Sequence, residues 1–123
     1  MDRINIPGTS PYEPVVGFSR AVRIGNIVHV AGTAPVGAEE QSAYEQARVV
    51  FQLIGKALGE AGASFEHVVR TRMYITHTED WEEIGRAHGE IFANIRPAAT
   101  MVVVKELLNP KWRVEIEAEA VAP

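Results

Sequence analysis

The sequence predicts a mixed α/β domain of order β-β-α-β-α-β-β, with one sheet carrying both helices on a single face. Three observations predict it. Two β-prone runs are joined by a two-residue Gly-containing turn near position 25. Two apolar stripes at helical spacing follow acid- or hydroxyl-bearing start signals, with an alternating segment between them. The last segment alternates apolar and charged residues strictly.

Residues 1–18 read as irregular, because Pro7, Gly8, Pro11 and Pro14 interrupt any regular element there. Residues 21–24 and 27–31 then form a hairpin across Gly25-Asn26, where a Gly-X loop suits a type II′ turn. Ser42 opens the first helix as the start of a Ser-x-x-Glu capping box with Glu45. Tyr44, Ala47, Phe51, Ile54 and Leu58 make its apolar face, and Gly59 or Gly62 ends it. In the strand at 68–76, Val69, Thr71, Met73 and Ile75 share one face, while Arg70, Arg72, Tyr74 and Thr76 share the other. Thr78 or Asp80 caps the second helix, whose inward stripe is Trp81, Ile84, His88, Ile91 and Ile95, with Phe92 beside it. The strand at 98–105 is nearly all apolar and reads as buried on both faces. The final strand, 112–121, sets Val114, Ile116, Ala118 and Ala120 against Arg113, Glu115, Glu117 and Glu119.

With 123 residues, 46% hydrophobic and 23% charged, the chain fits one domain over residues 1–123. It contains no cysteine, which excludes disulfides, thiolate nucleophiles and Cys-based metal sites. The net charge, 12 − 16 = −4, disfavours a general grip on nucleic acid. No apolar run approaches the roughly 20 residues that span a bilayer, and the segment MDRINIPGTSPYEP has no apolar signal core, so the expected location is cytoplasmic, away from membranes. No histidine spacing suits a metal, and no nucleotide-binding glycine motif follows a strand; neither metal nor cofactor is expected.

Helices on one face leave the other uncovered. Together with the apolar strand at 98–105, this patterning predicts self-association. Glu115, Glu117 and Glu119 form a row that either supplies a general acid or base or simply lines a half-exposed strand. Arg72 on a neighbouring strand either anchors a substrate carboxylate or pairs with those glutamates. Gly32 permits close approach of a ligand to backbone or serves only a turn, and His88 is either a core or a functional histidine.

The run Val30-Ala31-Gly32-Thr33-Ala34-Pro35-Val36, then Leu58 with Ala61-Gly62-Ala63, Val68-Val69-Arg70-Thr71, Phe92, Pro97-Ala98 and Val114-Glu115-Ile116-Glu117-Ala118 resembles the RidA/YjgF family, also described as L-PSP endoribonuclease-like. The resemblance runs from Gly17 to Val121. It implies a chorismate-mutase-like α/β fold, a homotrimer around a central barrel, and ligand clefts between subunits. Members of the RidA type hydrolyse 2-imino or 2-enamino acids to 2-oxo acids without a cofactor. On this resemblance Glu115 is the catalytic candidate, and Gly32, Thr33, Phe18, Arg72, His88, Ala99 and Thr100 are the substrate-binding candidates. Gly32 and Glu115 match the family pattern. Ala99 stands where those members carry the Arg that clamps the substrate carboxylate, Phe18 stands for a Tyr, Thr33 for a Gln, Gly85 for an Asn and Met101 for a Cys. Arg72, Arg86 and Arg96 are candidates to replace the missing cation. The resemblance therefore supports a hydrolase of imine or enamine C–N bonds of a small metabolite. A non-catalytic, regulatory trimer that binds a small metabolite or a partner protein is the alternative, and an endoribonuclease or translation inhibitor ranks below both.

Overall fold

The computed structural model describes residues 2–123. Six strands form one sheet in the order β1-β2-β3-β6-β4-β5. These are β1 (Arg3–Ile6), β2 (Ala21–Ile24), β3 (Ile27–Thr33), β4 (Val68–Ile75), β5 (Ala98–Val103) and β6 (Val114–Val121). All neighbours pair antiparallel except β4 and β5, which run parallel around the crossover helix α2 (Trp81–Phe92). Helix α1 (Ala43–Glu60) packs beside α2 on the same side.

The hairpin forms where expected. Ile24 pairs with Ile27, and Gly25 takes the positive φ of 58° that a side chain would resist. The Ser42 hydroxyl accepts the Glu45 amide at 3.2 Å, while the Glu45 carboxylate faces Arg48 at 3.6 Å. Gly62, at φ 77°, ends α1 in a Schellman arrangement: the Ala63 amide donates to Leu58 and the Gly62 amide to Gly59. Burial of Phe51, Ile54 and Leu58 from α1, Ile84 from α2, and Val28, Ile75, Val114 and Ile116 from the sheet makes the core. Each such side chain stabilises the fold by about 1.5–3 kcal/mol. Gln46 is also fully buried, and it is satisfied: its amide oxygen accepts the Arg113 N–H at 2.7 Å and its Nε2 donates to the Lys111 carbonyl at 3.1 Å.

Five details differ from the sequence reading. Residues 3–6 are a strand, because they form the outer partner of β2 with Arg3 opposite Ile24 and Ile6 opposite Ala21. An irregularity between Val68 and Arg70 turns Val69 outward, 49% exposed, while Val68 is buried. Trp81 lies outside the inward stripe at 55% exposure, and Ala87 fills the buried position instead. Asp80 makes no capping bond; its carboxylate is buried and takes Arg113 at 2.7 and 3.1 Å. Finally β5 is an edge strand. Met101 packs on the core, but Val102 and Val103 are 42% and 52% exposed in the single chain.

Candidate functional site

The sheet face opposite the helices carries three strand residues in each of two charged rows. Register places Glu119 between His29 and Arg70, and Glu117 beside Arg72, with Thr100 next in line. Glu119 draws Arg72 to 3.2 Å, His29 to 3.3 Å and Arg70 to 3.6 Å. Glu117 draws Arg72 to 3.5 Å and accepts the Tyr74 hydroxyl at 2.7 Å. That bond to a carboxylate, followed by burial, holds the Tyr74 phenol above its usual range.

Glu115 differs from its two neighbours. Among the described residues it has neither a hydrogen-bond nor an ion-pair partner. Its position is set by a bulge. The β3–β6 register shifts by one between Val30 and Thr33, where Thr33 pairs with Ile116, and beside this irregularity the Glu115 side chain lies over Gly32. The approach is so close that a Cβ on Gly32 would meet Glu115 Oε2. Burial raises the Glu115 carboxyl above the ordinary carboxylate range; nearby Arg20 partly offsets this, and Glu117 adds to it.

Arg20 completes the arrangement, and the sequence reading missed it. Its guanidinium donates to the Gly32 carbonyl at 2.5 Å, and its Nε is buried without a partner. Desolvation lowers its pKa, against the opposing pull of Glu13 and Glu115. Glu13 is itself fixed, accepting the Gly8 N–H at 2.9 and 3.1 Å. The signal was available: alternation counted back from Val22 puts Arg20 on the uncovered face.

The remaining candidates fall in different places. Phe18 follows the turn at Glu13–Gly17 and is 37% exposed. Thr33 is buried and its hydroxyl donates to the Ala31 carbonyl at 2.8 Å. Thr100 lies beside Arg72, whereas Ala99 lies beside Thr71, so these consecutive residues face opposite sides of the sheet. His88 is on the helix side, where Nε2 pairs with Thr71 Oγ1 at 2.9 Å and the ring packs on Phe92; burial lowers its pKa. Arg86 stacks over the Tyr44 ring at 3.9 Å and Arg96 Nε donates to Ala93, so both are engaged on that side as well. One chain thus brings Gly32, Glu115 and Arg20 together, but neither His88 nor Ala99 joins them.

The family profile described as Endoribonuclease L-PSP matches residues 8–122. The chain belongs to that family, the RidA/YjgF group. A solved YjgF/YER057c/UK114 family structure from Mycobacterium tuberculosis is 44% identical, with a TM-score of 0.93 over 98% of this chain and 100% of that one. A Streptomyces coelicolor protein is 39% identical over 115 residues, spanning 90% of this chain and 86% of that protein. A 2-iminobutanoate/2-iminopropanoate deaminase from Dermatophagoides farinae is 30% identical over 119 residues, covering 86% of each chain. In this RidA/YjgF protein the Glu115 side chain lies against Gly32, and residue 99 is an alanine. Among the described residues no group of acidic and histidine side chains could hold a metal, and no helix is long and apolar enough to cross a membrane.

Gly32 offers a direct test of the contact. Its backbone has no positive φ, so alanine fits the chain conformation, and the atom it meets is the mobile end of a side chain. Gly32→Ala is expected to keep the melting temperature close to that of the parent while moving the carboxylate. In any reaction that Glu115 carries, a displacement of this order lowers the rate by about 10- to 100-fold. Parallel thermal melts and steady-state kinetics check both halves of the expectation.

Proposed function

We propose that the chain assembles as a homotrimer with ligand clefts between subunits, in which Glu115 acts as general acid and base in hydrolysis of the C=N bond of a small imine. The observation that carries this reading is the state of Glu115. Glu117 and Glu119 are engaged by arginine, histidine and tyrosine, whereas Glu115 stands half-buried on Gly32 without a partner. Burial that raises its pKa suits a group that must both take and return a proton near neutrality.

Assembly is supported by β5. A free sheet edge is usually blunted by charge, yet Ala98, Ala99, Met101, Val102 and Val103 leave this one apolar and largely exposed. The deaminase name of the Dermatophagoides farinae relative supports the reaction class. The proposed site residues are Glu115 for proton transfer, Gly32 and Arg20 for shaping the pocket, and Phe18, Arg72, Ala99 and Thr100 as residues that the clefts gather from neighbouring subunits, while Thr33 and His88 support the sheet from within the chain's own packing.

The test couples an oxidase that generates imines to detection of the carbonyl product. Acceleration above the rate in buffer is expected, together with a sedimentation mass three times that of one chain. No acceleration with imines from either amino acids or simple amines overturns the catalytic reading, and a single-chain mass removes the clefts. Ala99 favours a second reading, a trimer that binds a metabolite without turning it over, because its methyl group offers no cation to an acidic substrate. Saturable thermal stabilisation by a metabolite with no turnover distinguishes it.

A further inference from the structure

We infer that the cleft at Glu115 takes a substrate that is protonated on nitrogen and has no carboxylate, the iminium of a simple amine; this rests on the reading of Glu115 as the reacting group.

The charges on the uncovered face support it. Arg3, Arg20, Arg70 and Arg72 stand against Glu13 of the adjoining loop, Glu115, Glu117 and Glu119, so the formal charges balance at 4 − 4 = 0, and what decides is which groups are already paired. Arg70 and Arg72 already have carboxylate acceptors, whereas Arg20 spends one N–H on a carbonyl and keeps its buried Nε without a partner. Arg72 contacts both Glu117 and Glu119, and Arg70 contacts Glu119. Arg20 donates to the Gly32 carbonyl and lies under the influence of two carboxylates, Glu13 and Glu115. An anionic ligand at Arg70 or Arg72 would have to displace one of these ion pairs. A half-buried carboxylate without a donor presents the opposite need, which an N–H bearing positive charge fills with a charge-assisted hydrogen bond. The loop that carries Glu13 also exposes Tyr12, Val15, Val16 and Phe18, so apolar rather than cationic surface follows Glu13 along the chain.

The reaction balances without an oxidant or reductant. Water oxygen bonds to the iminium carbon, its proton passes to the Glu115 carboxylate, and the C=N π electrons move to nitrogen. The protonated Glu115 then returns the proton to that nitrogen. The hydroxyl gives its proton to Glu115 as the C–N bond breaks, the bonding pair leaves on ammonia, and the last proton makes ammonium. The products are an aldehyde or ketone and ammonium, so the reaction that supplies the substrate must be oxidation of a primary amine.

Benzamidinium and benzoate provide a planar pair of nearly equal shape and opposite charge. Benzamidinium is expected to raise the melting temperature saturably and benzoate to leave it unchanged. Glu115→Gln, nearly isosteric, is expected to weaken benzamidinium binding by about tenfold or more. Stabilisation by benzoate equal to that by benzamidinium overturns the inference, as does benzamidinium binding that Glu115→Gln leaves intact, or the absence of benzamidinium binding. In kinetics, the imine from benzylamine is expected to turn over faster than those from amino acids. The reverse order overturns the inference while leaving Glu115 catalysis standing. Benzamidinium binding through Glu115 with no turnover of any imine supports the ligand class and overturns only the catalytic reading.

Discussion

Glu115→Gln is expected to lower imine turnover by about 10²- to 10⁴-fold, the usual contribution of a positioned acid–base group. The amide keeps the shape of the carboxyl and its place on Gly32 but can neither accept nor return the proton. The same substitution is expected to raise stability at neutral pH. Burial raises the folded-state pKa of Glu115 above its ordinary value of 4.5, so the folded protein holds the proton more tightly than the unfolded chain does. The stabilising contribution of the protonated group is full below that ordinary value and is lost as pH rises through the higher folded value. Melting temperatures of parent and variant should therefore converge in acid and separate above the ordinary carboxylate range, with the variant higher. Parallel curves across that range would contradict the burial of an unpaired charge. The pH–rate profile moves in the opposite sense: water attack needs ionised Glu115, so turnover rises as pH passes through the same elevated pKa.

Much of the architecture was legible because local rules agree with the tertiary outcome. The Ser42 cap, the Gly25 turn, the Gly62 stop and the alternation of β6 each express a backbone or burial constraint that one segment states alone. The misses have a common cause, since each depends on a partner distant in sequence. Arg3–Ile6 is a strand only because β2 offers an edge. Val69 faces outward only because a bulge offsets β4 against β6. Gly32 and Glu115 were both singled out, but the contact between them arises from the bulge at Ala31–Gly32, which no pattern in β3 announces. Arg20 stands one residue before β2, and its place at the site comes from the Gly32 carbonyl twelve residues on. Ala99 and Thr100, adjacent in sequence, are separated by the pleat, so a motif that spans both cannot address one face of one subunit.

Asp80 turns the difference between local and distant partners into a stability measurement. As a helix cap, Asp80 would tolerate asparagine, which caps about equally well, and Asp80→Asn would change stability by only a few tenths of a kcal/mol. The structure gives it another task. Its carboxylate is buried, makes no capping bond, and receives Arg113 Nε and Nη2 at 2.7 and 3.1 Å. That pair joins the start of α2 to the residue that leads into β6, and the adjacent Arg113 N–H is already tied to Gln46 of α1. Neutralising the buried partner leaves Arg113 facing an amide that can accept only one of its two bonds. Removing one member of a buried pair typically costs about 3–5 kcal/mol; because Arg113 is partly exposed, about 2–3 kcal/mol is expected here. Chemical denaturation of Asp80→Asn checks it. A midpoint within error of the parent would return Asp80 to the role of a cap, whereas a loss of this size that Arg113→Ala shares, with little further loss in the double variant, establishes the pair.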